Sequence, residues 1–217
     1  MNILNNILSI KIKNRIKLIQ KVIDNPYHFQ KKILLNNISV AKKTVFGQQH
    51  NFRKIQSYED FKEQIPIREY HDLKHYIDLS RNQEKNILWP GKTKWFAKSS
   101  GTTQNKSKFI PVTKESLYDG HFQAGKDMLS IYLNNYPHSN ILNGKSLMIG
   151  GSTGIRKFNS YQAGDVSGII IKNLPIWVQL KRAPSIKTAL LENWEEKIKC
   201  IIQETTKQNI TSISGVP

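Results

Sequence analysis

The sequence predicts an α/β protein in which a helical N-terminal layer is followed by a mixed sheet with flanking helices. Through the first part of the chain, apolar side chains recur at the helical period of three to four positions. Further along, short apolar runs bounded by glycine, proline and serine alternate with helical patterns, which is typical of a sheet covered by helices. We therefore divide the chain into a mostly helical layer, residues 1–80, and an α/β portion, residues 81–217, within one domain.

The helical layer is marked by start and stop signals. Pro26 follows Asn25 and ends the first amphipathic helix, because proline lacks a backbone N–H and disfavours helix in the residue before it. Ser57 and Asp60 have the spacing of a capping box, which opens a short helix that Pro66 ends. The other predicted helices of this layer cover residues 1–24, 27–45 and 67–83.

The α/β portion is predicted from apolar runs of strand length. The predicted strands cover residues 95–98, 108–112, 146–150, 168–172 and 210–214. One helix is predicted over residues 114–135, and a long one from Ser185 to Lys207. The long helix has a single apolar stripe, formed by Ile186, Leu190, Trp194, Ile198 and Ile201.

A hydroxyl-rich turn connects the first two predicted strands. Its hydroxyl side chains belong to Ser99, Ser100, Thr102 and Thr103. Gly101 lets the backbone turn so that successive N–H groups converge on an anion, and Lys106 or Lys108 adds positive charge. Composition alone would also allow a surface loop without a ligand. The combination of hydroxyls, glycine and lysine favours a phosphate-binding loop.

This turn resembles the phosphate-binding signature of the adenylate-forming enzymes, Ser-Gly-Thr-Thr-Gly-x-Pro-Lys. Residues 100–103 supply its first half, whereas Gln104 replaces the usual glycine and the lysine comes late, at Lys108, with Pro111 after it. The variant spacing is similar to that of the auxin-responsive promoter family, the plant acyl acid-amido synthetases and their bacterial relatives. Further motifs similar to that family follow in order along nearly the whole chain, at Thr44–Gly47, Ile65–Tyr70, Leu88–Gly91, Trp95–Ser100, Gly150–Ser152, Asn173–Pro175 and Ser214–Pro217.

The resemblance implies the N-terminal part of the large domain of an adenylate-forming enzyme, of the luciferase and acyl-CoA synthetase kind. Such an enzyme uses ATP and Mg²⁺ to convert a carboxylic acid to an acyl-adenylate, which in this family an amino acid captures. The resemblance also implies that residues 99–103 contact phosphate and that Lys108, the candidate catalytic residue, supplies charge. The family's later signatures, including a Ser-Glu-Gly segment and a mobile C-terminal domain, have no counterpart. We therefore expect an incomplete domain, inactive without the missing C-terminal portion.

Candidate substrate-pocket residues lie where predicted strands end, because ligands of open α/β sheets gather beyond the carboxyl ends of the strands. Gly151 and Ser152 follow the strand over residues 146–150. Gly215 and Val216 follow the last strand, and family analogy places them in the acyl pocket. The alternative for all of them is a turn that requires glycine.

Other catalytic motifs in the chain are incomplete. Gly150–Gly154 matches the Gly-x-Ser-x-Gly of serine hydrolases, but no histidine follows Ser152 to complete the triad in the usual order. Gly120–Asp127 nearly matches a Walker A loop, but an aspartate replaces the hydroxyl that binds magnesium, so we interpret this segment as helix. His71 and His75 lie one helical turn apart without a third ligand, and we predict no metal site.

Composition bounds the remaining possibilities. The net charge of +17 raises nucleic-acid binding as a hypothesis, but the lysines are spread over nearly every predicted helix, so we expect no specific nucleic-acid partner. No apolar run approaches the roughly 20 residues of a membrane span, and we predict none. Cys200 is the single cysteine and cannot form an internal disulfide, which fits the cytoplasm. Two alternatives stay open: an acyl-CoA ligase-type enzyme and a non-enzymatic basic module that binds polyanions.

Overall fold

A computed structural model describes residues 3–99, 107–150 and 154–215 of the chain. The chain forms two compact units. The helical unit comprises Met1–Thr93 and Thr113–Pro137, and the sheet unit comprises Lys94–Val112 and His138–Pro217. The predicted α/β class is confirmed, since helices build the first unit and β-sheets with flanking helices build the second.

The helical unit contains α-helices with short turns between them. A 3₁₀ turn covers Phe52–Lys54, and a π-helical turn covers Ser116–His121. The helices are α1 (Ile3–Asp24), α2 (Pro26–Ala41), α3 (Val45–Gln49), α4 (Tyr58–Gln64), α5 (Tyr70–Arg81) and α6 (Phe122–Asn135). The predicted helix over residues 114–135 is thus confirmed in its main part.

Start and stop signals explain where these helices begin and end. The break before Pro26 is confirmed. The second predicted helix is wrong in its last turn, because α2 ends at Ala41 and Thr44 starts a new helix there. The Oγ1 of Thr44 accepts a hydrogen bond from the N–H of Gly47 at 3.0 Å, which caps α3.

The predicted capping box of α4 is confirmed. The Ser57 hydroxyl accepts from the Asp60 N–H at 3.0 Å, and the Asp60 carboxylate accepts from the Ser57 N–H at 3.0 Å. A hydrophobic cluster then packs α2 against the 3₁₀ turn, and its buried members are Ile38, Ala41, Phe52 and Ile55. Each large apolar side chain buried in this way contributes about 1.5–3 kcal/mol.

The sheet unit contains two β-sheets. The strands are β1 (Trp95–Lys98), β2 (Phe109–Val112), β3 (Lys145–Ile149), β4 (Arg156–Lys157), β5 (Gln162–Gly164), β6 (Arg182–Ala183) and β7 (Ile210–Gly215). A 4-stranded mixed sheet has the order β2-β1-β5-β4, and a 3-stranded parallel sheet has the order β6-β3-β7. The flanking helices are α7 (Val166–Asn173), α8 (Ile176–Leu180), α9 (Ile186–Ala189) and α10 (Trp194–Thr205).

The strand predicted over residues 168–172 is wrong, because this segment is the helix α7. A run of isoleucines favours strand by its β-branched side chains. In the structure, Ile169 and Ile171 are buried, and α7 packs on β1 and β5. Tertiary packing therefore overrides the local preference.

The long helix predicted from Ser185 to Lys207 is also wrong, because it is divided into α9 and α10. Each helix has its own cap. The Oγ of Ser185 accepts from the Thr188 N–H at 3.2 Å, and the Oδ1 of Asn193 accepts from the Glu196 N–H at 2.9 Å.

The apolar stripe predicted for this segment is wrong within α10. Trp194 and Ile198 are 48% and 38% exposed, whereas Lys197 is 0% exposed and Ile201 is buried. Residues four positions apart lie on the same helical face. The buried face of α10 therefore includes a lysine.

Candidate phosphate loop and strand-end site

The predicted phosphate loop connects β1 to β2, as the strand-turn-strand interpretation expected. The two strands are antiparallel, with Lys98 opposite Phe109. Ser99 and Lys108 extend this ladder by one step. The Ser99 N–H donates to the Lys108 carbonyl oxygen at 3.0 Å, and the Lys108 N–H donates to the Ser99 Oγ at 3.0 Å. Both ends of the loop are thus fixed to each other.

The hairpin that carries the loop is anchored in the sheet. β1 is an inner strand that pairs with β5 on its other side, and its Phe96 is 0% exposed. The Phe96 ring meets the Tyr161 ring edge to face, with centroids 5.2 Å apart. Pro111 lies on β2, an edge strand, where a missing N–H costs little. A loop held by packed strands is positioned more precisely than one between flexible segments.

The structure brings Ser99 and Lys108 together at the base of the loop. Cross-strand neighbours share one face of a hairpin, and the Lys108 side chain is exposed there. A serine hydroxyl that accepts one hydrogen bond still has a proton to donate. The other predicted phosphate contacts lie outside the described residues and stay predictions: Ser100, Gly101, Thr102 and Thr103.

A second group of predicted residues lies where parallel strands end. β3 and β7 end side by side, with Ile149 opposite Gly215. A Cβ added to Gly215 would lie 3.0 Å from the Ile149 carbonyl oxygen, so glycine permits this close approach. The other candidates, Gly151, Ser152 and Val216, lie outside the described residues. Binding of substrate at this edge stays a prediction.

A lysine that sequence reasoning missed lies beside the strand end. The Nζ of Lys197 donates to the Gly150 carbonyl oxygen at 3.5 Å and lies 5.9 Å from the centre of the Trp194 ring. Burial lowers the pKa of Lys197. Its spacing of four from Ile201 was the signal that could have placed it on the buried face.

Helix α7 links the strand end to the strand that carries the loop. A Cβ added to Gly150 would lie 3.5 Å from the Cδ1 of Ile171, and the same helix packs on β1. The Nζ of Lys172 lies 5.9 Å from the centre of the Trp95 ring. Gly154, just beyond the strand end, faces Glu192, since a Cβ there would lie 2.5 Å from its Oε1.

Comparison with known proteins identifies the family. The model of the GH3 family N-terminal domain matches residues 15–215. The chain belongs to the GH3 family. This confirms the resemblance to the auxin-responsive promoter family drawn from the motifs. No curated protein sequence shows significant similarity to the chain.

Solved GH3 structures share the fold. A GH3.15 acyl acid amido synthetase superposes with a TM-score of 0.71 at 19% identity, covering 86% of this chain and 32% of the other. A structure of AtGH3.15 acyl acid amido synthetase in complex with 2,4-DB gives 0.64 at 23% identity, covering 75% and 28%. The chain therefore spans about a third of the length of these relatives.

The Walker A-like segment has a structural role in this GH3 chain. Gly120–Asp127 lies in the π-helical turn and α6, which confirms the helical interpretation. The Nη2 of Arg15 donates to the Oδ2 of Asp127 at 2.7 Å, and Gln123 donates to its Oδ1 at 2.8 Å. The hydrogen bond from Arg15 is the main cause that holds the pKa of Asp127 below its usual 3.8, and the one from Gln123 adds to it. The aspartate thus joins α6 to α1.

Two further findings concern metals and membranes. His71 lies within 3.4 Å of the Glu69 carboxylate and 3.0 Å of the Asp72 carboxylate. Within residues 3–99, 107–150 and 154–215, no group of three or more histidine, cysteine or acidic side chains could hold a metal ion. In the same described ranges, every helix is too short or too polar to cross a membrane.

Proposed function

We propose that this GH3 chain supplies the phosphate-binding part of an ATP-dependent ligase. The ligase activates a carboxylic acid as an acyl-adenylate and joins the acyl group to an amino acid. The observation that carries the proposal is the hairpin whose base is closed by Ser99 and Lys108, together with the family's Ser-Gly-Thr-Thr sequence between these two residues. The solved relatives with this fold are named acyl acid amido synthetases, which supports the reaction class.

The reaction has two steps. A carboxylate oxygen of the acid bonds to the α-phosphorus of ATP, the bond from that phosphorus to the bridging oxygen breaks, and pyrophosphate leaves. The amine nitrogen of the amino acid then bonds to the acyl carbon, AMP leaves with the bonding electrons, and the amine loses a proton to solvent. Only the first step develops charge on the departing pyrophosphate.

The residues of the loop suit that first step. The Ser99 hydroxyl, the loop hydroxyls and backbone N–H groups donate hydrogen bonds to phosphate oxygens, and the Lys108 ammonium offsets their charge. Two hydrogen bonds at 3.0 Å join Ser99 to the Lys108 backbone, so the Ser99 hydroxyl and the backbone of Lys108 are held in place before ATP arrives. Orientation in advance lowers the free energy needed to reach the transition state.

Magnesium accompanies ATP in reactions of this class and prefers oxygen ligands. The described residues contain no group of three or more acidic, histidine or cysteine side chains, but Mg²⁺ bound with ATP needs only one or two carboxylates beside phosphate oxygens and water. We therefore assign phosphate contacts to the described residues, and Mg²⁺ would be held between the phosphates and groups that lie partly outside this chain. The acid, the amine and the C-terminal portion complete the reaction.

The test uses the full natural gene product and the carboxylate-dependent exchange of label between pyrophosphate and ATP. We expect Thr102→Ala to slow exchange by about 10²-fold, as the loss of one donor to a developing anion does. Lys108→Gln should slow it by about tenfold, since one charge-assisted contact is lost. Lys157→Gln changes an exposed lysine on β4 and should leave exchange unchanged. Wild-type exchange in both loop variants would remove the loop from the mechanism.

A further inference from the structure

A cavity at the opposite end of the parallel sheet is distinct from the strand-end site. It has a volume of about 370 Å³ and includes Lys145, the first residue of β3, in its lining. Arg182 on β6 also lines it and pairs in register with Ser146 on β3. The strand-end site lies beyond Ile149, at the other end of the same strand. The two sites therefore lie at opposite edges of the three-stranded sheet.

Arg182 brings a buried cation to this cavity. Its side chain is 4% exposed, and neither Nη atom has a hydrogen-bond partner among the residues that the structure describes. Burial lowers the pKa of Arg182, although the nearby Glu204 carboxylate opposes the change. An arginine remains protonated nonetheless, and a buried charge without hydrogen bonds is costly. The planar fork of a guanidinium matches the two oxygens of a carboxylate.

Glu204 does not supply that carboxylate. Its oxygens accept from the Ser185 N–H at 2.6 Å, from the Ser185 hydroxyl at 3.0 Å and from the Thr188 hydroxyl. Burial raises the pKa of Glu204, but these hydrogen bonds outweigh burial and hold the pKa below its ordinary value. Glu204 therefore adds a fixed negative charge to the cavity lining.

Gln208 contributes a side-chain oxygen that has no hydrogen-bond donor among the described residues. Its Nε2 donates to the backbone carbonyl of Glu204 at 2.5 Å, which fixes the orientation of the amide. Its Oε1 is buried and has no hydrogen-bond partner within the described ranges. Because these atoms have almost no accessible surface, an occupant that offers two acceptors to Arg182 and a donor to Gln208 reaches them through a shift of neighbouring side chains.

Apart from Gln179, whose Nε2 donates to the Leu174 carbonyl oxygen at 2.8 Å, the remaining wall of the cavity is apolar. Ile176 and Leu180, at the two ends of α8, are 77% and 70% exposed at its rim. Ala183, Pro184 and Ile186 complete this side. An aliphatic group placed against these side chains would remove apolar surface from water, which favours binding.

We propose that this cavity binds a small aliphatic α-amino acid. Its carboxylate pairs with Arg182, its ammonium group lies at the Oε1 of Gln208 near the negative charge of Glu204, and its side chain packs against α8. A simple carboxylic acid would leave Gln208 without a donor, and a simple amine would leave Arg182 without an acceptor. The site is separate from the phosphate loop, and the inference does not depend on ligase activity.

The test measures binding of matched ligands to the purified chain by calorimetry, without ATP. L-leucine carries both charged groups, 4-methylpentanoate lacks the ammonium group, and isoamylamine lacks the carboxylate. We expect L-leucine to bind about tenfold or more tightly than either of the other two, because each lacks one charge-assisted contact. If none of the three binds at millimolar concentration, the cavity holds water alone and the proposal is wrong.

Substitutions in the cavity test which residues bind L-leucine. Arg182→Met should abolish binding of L-leucine while leaving the melting temperature equal or higher, because it removes a buried charge and keeps the volume. Gln208→Leu should weaken L-leucine binding and leave 4-methylpentanoate binding unchanged. Arg156→Met makes the same change on an exposed residue of β4 and should have no effect. Equal losses in Arg156→Met and Arg182→Met would overturn the proposal, since they would indicate nonspecific attraction to positive charge.

Discussion

Arg15 in the helical unit and Arg182 in the sheet unit place the same guanidinium group in opposite surroundings. Arg15 on α1 donates to the Asp127 carboxylate on α6, with 2.7 Å between Nη2 and Oδ2, and this hydrogen bonding raises its pKa. Arg182 is almost fully buried, its Nη atoms have no hydrogen-bond partner in the described part of the chain, and burial lowers its pKa.

The difference shows how to distinguish a cation that stabilises the fold from a cation that can bind a ligand. Where the protein supplies the opposite charge, as for Arg15, the pair joins two helices. Arg182 lies near the Glu204 carboxylate, but the oxygens of Glu204 accept from Ser185 and Thr188, so hydrogen-bond acceptors for the Arg182 Nη atoms have to come from outside. Lys197 is a third case, because it is fully buried but reaches the Gly150 carbonyl oxygen.

The largest effect is expected for Lys197→Ala. Its methylene groups are buried, and each contributes about 0.8 kcal/mol, so the loss outweighs the relief of a buried charge. We expect the free energy of unfolding to fall by about 2–3 kcal/mol, measured by urea denaturation. Lys199→Ala, on the exposed face of the same helix, should change it by less than about 0.5 kcal/mol. Equal effects of the two variants would show that Lys197 is not packed as described.

An effect of opposite sign is expected for Arg182→Met. Replacing this cation by an apolar side chain of similar volume removes a buried charge whose Nη atoms have no hydrogen-bond partner among the described residues, so the free energy of unfolding should rise by about 1–2 kcal/mol. Arg15→Met should lower it by about 1 kcal/mol, because it breaks the contact with Asp127. Thermal denaturation of the two variants measures both changes. If both variants changed the free energy of unfolding in the same direction, the proposed difference between these two arginines would be wrong.

The smallest effect is the pH dependence of the Arg15–Asp127 pair. Because the pKa of Asp127 is lower in the folded protein than its usual 3.8, the pair stabilises the fold above pH 3.8. This contribution is lost as the pH falls through the lowered pKa. We expect Asp127→Asn to be less stable than the wild type by about 1 kcal/mol at neutral pH, with the difference disappearing in acid. A difference that persists at low pH would show that the carboxylate charge is not responsible.

The sequence predicts elements best where local chemistry decides them. Pro26, the capping box of Ser57 and Asp60, and the hairpin around the hydroxyl-rich turn all follow from short-range signals. The isoleucine run in α7 predicts a strand from its local propensity, whereas its helical form depends on packing against β1 and β5.

The candidate sites differ in the same way. The candidate phosphate loop is visible in the sequence because its hydroxyls, glycine and lysines all lie within residues 99–108, and its binding of phosphate stays a prediction. The cavity beside Arg182 could not be predicted, since its polar groups come from β6, α10 and the turn after α10, and only the folded chain brings them together. The buried position of Lys197 could have been predicted from the sequence, because Lys197 lies four residues before Ile201.

Titration of the purified chain with ATP, followed by the chemical shifts of its backbone amides, tests most directly whether the hairpin binds phosphate. We predict the largest changes at Ser99, Lys108 and the loop between them, and none at Arg182. Thr102→Ala should reduce these changes, and Lys157→Gln should not. Changes spread over exposed lysines throughout the chain, or none at the loop, would contradict the account.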